Sequence, residues 1–552
     1  MPKFVWVILA FVPLLAQDQV DLSIVNRIRT EAFENSKVMD HLSYMTDMYG
    51  PRLTGSPEFK QAADWALKRL QDYGLVNGHL EKWGPFGRSW TLEKFSVELL
   101  EPRYSLLSAW PLAWSQGTNG PVSGEVILTP AQRSFDLKKG EADLEAYKKK
   151  YAGKLRGKIV MVSPPITDVL RGEMRIDLQR YTAAALAELA AAPQPVPKVE
   201  FDPDNLIIPE DPEQRGRLFS SLPMDVLIKF FDRLQALRNK RNEFLSQEGA
   251  IGILQDDERA HDSLLFAEAA GSYKAKDQLA PPTFVLTAEH YNRIARLVEK
   301  KVPVRLQLNL QAKASDADVD AYNVVAEIPG GAKKDEIVML GAHFDSWHSG
   351  TGATDNASGS AVMMEVVRIL KTLNLKMDRT VRIALWSGEE EGLLGSKAYV
   401  KEHFADPATM QTTTAHAHFS GYFNLDNGSG KIRGVYLQND DAMRPLFERW
   451  LKPFEDLGVT TVSIRNTGGT DHLSFDAVGL PGFQFIQDPL DYSTVTHHSS
   501  MDVFDHAIAA DLMQASAVIA SCVYEAAARP EKLPRKPLPK VKPAAPTKLP
   551  SQ

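Results

Sequence analysis

The chain has 552 residues, 44% hydrophobic and 24% charged, which is enough apolar material for two or three packed domains. Its 63 Lys and Arg against 70 Asp and Glu leave a formal net charge of −7, which removes the electrostatic case for a nucleic-acid or anionic-membrane partner. The single cysteine, Cys522, excludes an intrachain disulfide, so stability has to come from the core and from any bound metal.

In chain order, Lys3 precedes an apolar run from Phe4 to Leu15 that ends at the small residue Ala16. A run this short with a basic start predicts a secretory signal over residues 1–16, the other reading being an uncleaved anchor. No later stretch is apolar enough to span a bilayer, so the expected location is secreted or periplasmic. Residues 17–119 read as the N-terminal part of the main domain. Ser36 to Met48 and Phe59 to Tyr73 carry apolar residues at spacings of three and four, as helices do. The loop between them is rich in Gly and Pro, and Ser56-Pro57 predicts the second helix start.

Residues 120–314 read as an inserted β-rich domain. Gly157 to Val162 and Gly249 to Leu254 are β-branched strands after glycine turns. Between them lie an Ala-rich helix, Tyr181 to Ala191, and a Pro- and Asp-rich loop, Pro193 to Pro212. Residues 315–528 alternate cleanly. Val324 to Ile328, Glu336 to Leu340 and Thr380 to Trp386 predict strands, and Ser358 to Leu373 and Gly392 to Glu402 predict helices. Nearly continuous apolar strands separated by helices imply an α/β sheet covered on both faces. Arg529 to Gln552 is rich in Pro and Lys and is expected to be a disordered tail.

Four polar segments stand out: Gly341-Ala342-His343-Phe344-Asp345-Ser346, Gly352 to Gly359 around Asp355, Ser387 to Gly392 around Glu389 and Glu390, and Thr496 to Asp502 around His497 and His498. Taken singly, each has a bland reading. An acidic run starts helices, Asp355 caps one, and a lone histidine is usually structural. Together they place histidines and carboxylates at strand ends of one sheet, where open α/β sheets put their sites and with the ligand types zinc takes for hydrolysis. No His-Glu-x-x-His helix, Gly-x-Ser-x-Gly elbow or phosphate-binding loop competes.

These segments, with His343 to Trp347, the Leu385-Trp386 before the paired glutamates and His497-His498-Ser499, resemble the co-catalytic zinc exopeptidases, a family of zinc aminopeptidases and glutamate carboxypeptidases. The resemblance runs from about residue 36 to 528. It implies an α/β/α sandwich with a mixed sheet, and an insertion similar to a protease-associated domain. It implies two zinc ions holding a hydroxide between them: His343 and Asp426 on one, Glu390 and His498 on the other, and Asp355 bridging both. Asp345 would orient a ligand and Glu389 would be the general base. The peptide after the bridging aspartate would be cis.

Where glutamate-cleaving relatives carry a Tyr before the last metal histidine, this chain has His497, which would take the oxyanion role or simply pack. Asp471, Arg465 and Tyr492 are the candidates for touching substrate. Arg52 and Arg465 are the candidate anchors for a free carboxylate. The implied substrates are short peptides. Aminopeptidase and dipeptidase or carboxypeptidase activities stay open, as does a homodimer. The alternatives on the same fold are a non-catalytic scaffold and a single-zinc, glutaminyl-cyclase-like acyltransferase.

Overall fold

The computed structural model describes residues 19–131, 134–166, 178–193 and 224–541, with isolated positions at 208, 209, 214, 218 and 222. The expected signal at 1–16, most of the Pro193 to Pro212 loop and the last eleven residues lie outside them.

The apolar strands of the C-terminal half assemble into one mixed sheet of eight. Its order is Val76–Trp83, Ala321–Ile328, Arg379–Trp386, Lys333–His343, Phe419–Asn424, Gly482–Gln487, Ile432–Tyr436, Thr461–Ser463. The four central strands, Arg379–Trp386 to Gly482–Gln487, are parallel neighbours. Helices cover both faces. On one face Ser358–Thr372, Ala509–Ala528, Pro57–Asp72 and Leu22–Glu34 enclose the largest apolar cluster. On the other, Leu394–His403 and His472–Asp476 pack an aromatic layer containing Trp386, Tyr422 and Phe475.

Local signals account for the helix starts. Ser56 caps Pro57–Asp72, its Oγ accepting from the Phe59 amide at 3.0 Å, with Pro57 in the first turn. That helix buries Phe59, Ala62, Ala63, Ala66 and Leu70, the three-and-four spacing read from sequence. Helix Ser358–Thr372 is buried nearly throughout, and Gly359 lets it approach closely. A Cβ there would lie 2.3 Å from Asn356 Oδ1 and 2.4 Å from the Leu425 carbonyl.

A second sheet of eight strands holds Lys158–Met161 and Gly252–Gln255 side by side, away from the sheet containing Val338 and Ile383. Its lobe starts earlier than Gly120. Ser89–Glu101 pairs antiparallel with Arg305–Ser315 along its whole length, and Ala109–Pro111 pairs with Thr283–Leu286. The long cross-strand ladder, not the change in composition near Gly120, sets that boundary. The Ala-rich helix, Ala183–Ala190, returns to the first sheet as a strap. Gln179 bridges Leu490, Arg180 reaches Asp488 at 2.9 Å and Asp511 at 2.8 Å, and Ser463 donates to the Leu189 carbonyl at 2.7 Å.

The expected disordered tail needs correction over its first part. Leu533 is buried in the main core, Arg535 donates to the His416 carbonyl at 2.9 Å, and Lys536 pairs with Asp476. The basic residues that made the segment look unstructured find carbonyl and carboxylate partners beside the first sheet. Among the described residues, no helix is long and apolar enough to cross a membrane.

Burial keeps three histidines neutral: it pushes His41 and His472 down to about 3 and His348 to about 4, from 6.5. Their folded values lie below the unfolded one, so protons are taken up on unfolding and stability falls as pH drops through 6.5. His41 Nε2 pairs with the Tyr73 hydroxyl at 2.7 Å. Glu-sized His41→Gln keeps a polar partner for Tyr73 without titrating. Denaturant unfolding at pH 7 and pH 5 should show the variant losing about 2 kcal/mol less than the wild type over that interval. Equal losses would mean that His41 is not the acid-sensitive group.

Candidate metal centre

Parallel register brings two of the four polar segments, and the strand that leads to Asp426, to one edge. His343 ends its strand opposite Trp386, three residues before Glu389, and Asn424 ends its strand opposite Gly341, two residues before Asp426. The loop carrying Asp355 leads into Ser358–Thr372, and the Asp355–Asn356 peptide is cis. The loop Tyr492 to Asp502 closes over them with His497 and His498. The side chains of His343, Asp355, Glu390, Asp426 and His498 meet although 155 residues separate the first from the last.

Asp355 stands between two half-sites. Its Oδ1 lies 3.2 Å from His343 Nε2, which is 3.3 Å from Asp426 Oδ1. Its Oδ2 lies 3.3 Å from His498 Nε2, which is 3.0 Å from Glu390 Oε2. Zinc bonds of about 2.0–2.1 Å in a tetrahedron give ligand edges of about 3.3 Å, so the donor set fits a pair of ions sharing Asp355. Donor atoms of His343, Asp355 and Glu390, and separately of Asp355, His497 and His498, cluster within 4.8 Å.

Charge makes the same demand. Burial would push both imidazoles down, yet Asp426 and Glu389 hold His343, and Glu390 and Asp355 hold His498, well above the usual value. Burial, with Asp426, Asp471 and Glu390 nearby, raises Glu389 well above the carboxylate range against the pull of His343. This much buried carboxylate requires cationic charge in its midst.

The supporting shell is largely backbone-directed. His343 Nδ1 meets the Asp345 carbonyl at 3.1 Å, while the Asp345 carboxylate, expected to orient the ring, stands at 3.6 Å and accepts from Thr54 Oγ1 at 2.9 Å. Asp502 accepts from the Thr354 amide at 2.6 Å and the Asp355 amide at 3.2 Å, fixing the bridge. Glu268, from the second lobe, accepts from His498 Nδ1 at 2.9 Å. Sequence reasoning missed Asp502 and Glu268. Asp502 follows directly on the His497-His498 segment and was within reach, but nothing local marks Glu268, 230 residues before its partner.

Beside this cluster opens a cavity of ≈ 320 Å³ lined by Asp355, Glu389, Asp426, Gly468, Tyr492 and His497, among others. Tyr492 stacks edge-on against His497, ring centres 4.9 Å apart, and His497 Nε2 is 3.8 Å from Asp355 Oδ2. Burial and the neighbouring His498 hold His497 below the usual value, so its ring is neutral.

Three expected substrate contacts do not line the cavity. Asp471 is fully buried close to His343 and Asp426, at the start of helix His472–Asp476. Arg465 follows strand Thr461–Ser463 and points to Glu188 of the strap at 3.6 Å. Arg52 is fully buried and donates to the carbonyls of Phe344, Met45, Thr351 and Gly352 at 2.7–2.8 Å, tying together the loops that carry the cluster.

Residues 323–523 match the profile of Peptidase family M28. The chain is 25% identical over 523 residues to carboxypeptidase Q of Mus musculus, covering 94% of this chain and 91% of that protein. It is 28% identical over 301 residues to aminopeptidase YwaD of Bacillus subtilis, covering 52% of this chain and 64% of the relative. Two solved structures share the fold. One is a Peptidase M28 precursor from Shewanella amazonensis, with TM-score 0.61, 24% identity and coverage of 94% and 98% of the two chains. The other is a zinc aminopeptidase from Bacillus subtilis, with TM-score 0.53, 18% identity and coverage of 89% and 95%.

The four-carbonyl grip of Arg52 is open to substitution. Lys keeps the charge but cannot reach four separate carbonyls, leaving buried acceptors unpaired. Arg52→Lys should lose about 3 kcal/mol in denaturant unfolding. A loss below about 0.5 kcal/mol would show that the fork is not needed to hold these loops.

Proposed function

We propose that the chain is an exported, di-zinc metallo-exopeptidase of the M28 type that cleaves short peptides next to a free amino end. The observation that supports it best is the pair of half-sites sharing Asp355, with an open cavity beside them. In this reading His343, Asp355 and Asp426 hold one ion and Asp355, Glu390 and His498 the other. The leader-like residues 1–16 supply the export signal, and the second-sheet lobe is the protease-associated-type insertion that narrows the cleft.

When bound, the two ions would polarise the scissile carbonyl and acidify a water. The chain's own groups do the rest. Glu389 faces the cavity, takes the proton of the attacking water and returns it to the leaving amine. His497 reaches over Asp355 and donates to the developing oxyanion, with Tyr492 limiting the swing of its ring. Gly468 and Gly469 leave the cavity wall low.

The free amino end follows from the lining. Among the described residues no Lys or Arg lines the cavity, while carboxylates do. Arg52 and Arg465, the two candidate anchors for a free carboxylate, are engaged elsewhere. Dipeptides amidated at the carboxyl end should therefore be cleaved and N-acetylated ones refused, read from kcat/KM on the purified enzyme. The opposite preference would make it a carboxypeptidase.

Glu389 and Glu390 should separate by role. Glu389→Gln keeps both ions and substrate binding but lowers kcat roughly 10²–10⁴-fold. Glu390→Gln loses zinc first, and added zinc restores part of its activity and none of the other variant's. Metal content and turnover of both variants are the measurements, and a reversed pattern would exchange the two roles.

A further inference from the structure

His343 and His498 are oriented in different ways. The Nδ1 of His343 is held by a carbonyl of its own loop, Asp345, at 3.1 Å. That of His498 is held by a carboxylate from the other lobe, Glu268, at 2.9 Å. The choice of partner fixes the tautomer. With Nδ1–H donating to Glu268, Nε2 carries a free lone pair and faces Asp355 Oδ2 at 3.3 Å and Glu390 Oε2 at 3.0 Å. With the proton on Nε2 the ring could not serve as a ligand.

Glu268 is built into this position. Ser500 N donates to the Leu265 carbonyl at 2.8 Å, Phe266 bridges Ser499 antiparallel, and His261 Nε2 meets the Thr494 carbonyl at 2.9 Å. The segment from His261 to Glu268 thus lies against the loop of His497 and His498, joined to it by these bonds and by the single bridge at Phe266. Its other end is tied into the second lobe, where Ala270 N donates to the Ala113 carbonyl at 2.8 Å. Arg259 holds the Glu268 carboxylate at 3.0 Å and pairs with Asp257 at 2.9 Å, its guanidinium over the Phe266 ring. A half-exposed Arg–Glu pair would contribute ~0–1 kcal/mol if stability were its only role. Here the same Oε1 atom receives both Arg259 and His498.

We propose that Glu268 is the positioning residue for His498, so that the second lobe completes the metal centre as well as walling the cleft. This rests on the di-zinc reading above. It makes zinc affinity at the Glu390–His498 half-site depend on where the lobe sits, and leaves the His343–Asp426 half-site independent of it.

The test compares the full-length wild type with Glu268→Gln and Glu268→Leu by competition with a chromophoric zinc chelator. Melting of the metal-free proteins is recorded alongside. Glu268→Leu should weaken one of the two zinc ions about 10–100-fold and leave the other unchanged. Glu268→Gln, which keeps an acceptor for Nδ1–H, should lose less than about 10-fold. Saturating zinc should restore most of kcat in both. Unchanged affinity for both ions in the Leu variant overturns the role, and so does equal weakening of both. If Glu268→Leu does not fold, Glu268→Asp keeps a carboxylate beside Arg259 but shortens its reach to His498, and unchanged affinity there is equally fatal. A wild type that takes up fewer than two zinc ions refutes the proposed function and this inference together. Two ions in the wild type and in every variant, all equally tight, refute this inference alone.

Discussion

Like charges packed out of water repel, and that repulsion is the constraint on which this structure depends. Asp345, Asp355, Asp426, Asp471 and Asp502 are all buried around two histidines, with Glu389 and Glu390 at the cavity wall. No chain gathers so many carboxylates for stability, because each is costly to desolvate and worse beside the next. The fold has to hold them together against this tendency, and the donor geometry shows what would relieve it.

Two devices hold the cluster. Parallel strands deliver His343, Glu389 and Asp426 from three neighbouring chain segments at the same edge, so their separation is set by sheet spacing. Beneath that edge a buried chain of hydrogen bonds stiffens the floor. Trp386 Nε1 donates to the Tyr422 hydroxyl at 2.7 Å, which donates to Asn424 Oδ1 at 2.6 Å, and Asn424 Nδ2 donates to Thr470 and Gln484. Hydrogen-bonded chains of this kind in low dielectric favour one arrangement. Arg52 does for the loops what the ladder does for the strands. Its single positive charge, spread over four carbonyls, also sits close to the anionic cluster, where Asp502 and Asp345 favour its ionised form against burial.

The second lobe contributes at two places. Its strand-like segment from His261 to Glu268 runs beside the histidine loop, and its strap from Gln179 through helix Ala183–Ala190 grips Leu490 and strand Thr461–Ser463. The loop from Leu490 to Asp502, which carries Tyr492, His497 and His498, is therefore clamped between two pieces of the insertion. A loop with few apolar contacts of its own would otherwise be the softest part of the site.

Much of this was legible in the amino-acid sequence. Strand and helix periodicity located three strands of the first sheet, Ala321–Ile328, Lys333–His343 and Arg379–Trp386, to within a few residues, because burial on both faces leaves apolar runs that read plainly. The polar segments marked four of the five residues that do meet, and the family resemblance added Asp426 and the pairing of the set. The sequence could not say where the second lobe begins, because pairing of Ser89–Glu101 with Arg305–Ser315 is a contact across 200 residues. Nor could it place Arg52, Arg465 and Asp471, whose residue types suit a pocket as well as a core. It gave no hint of Glu268, an ordinary glutamate in a loop. Which carboxylate faces a histidine, and which arginine is already engaged, depends on long-range contacts that local composition does not encode, and the tertiary structure alone decides them.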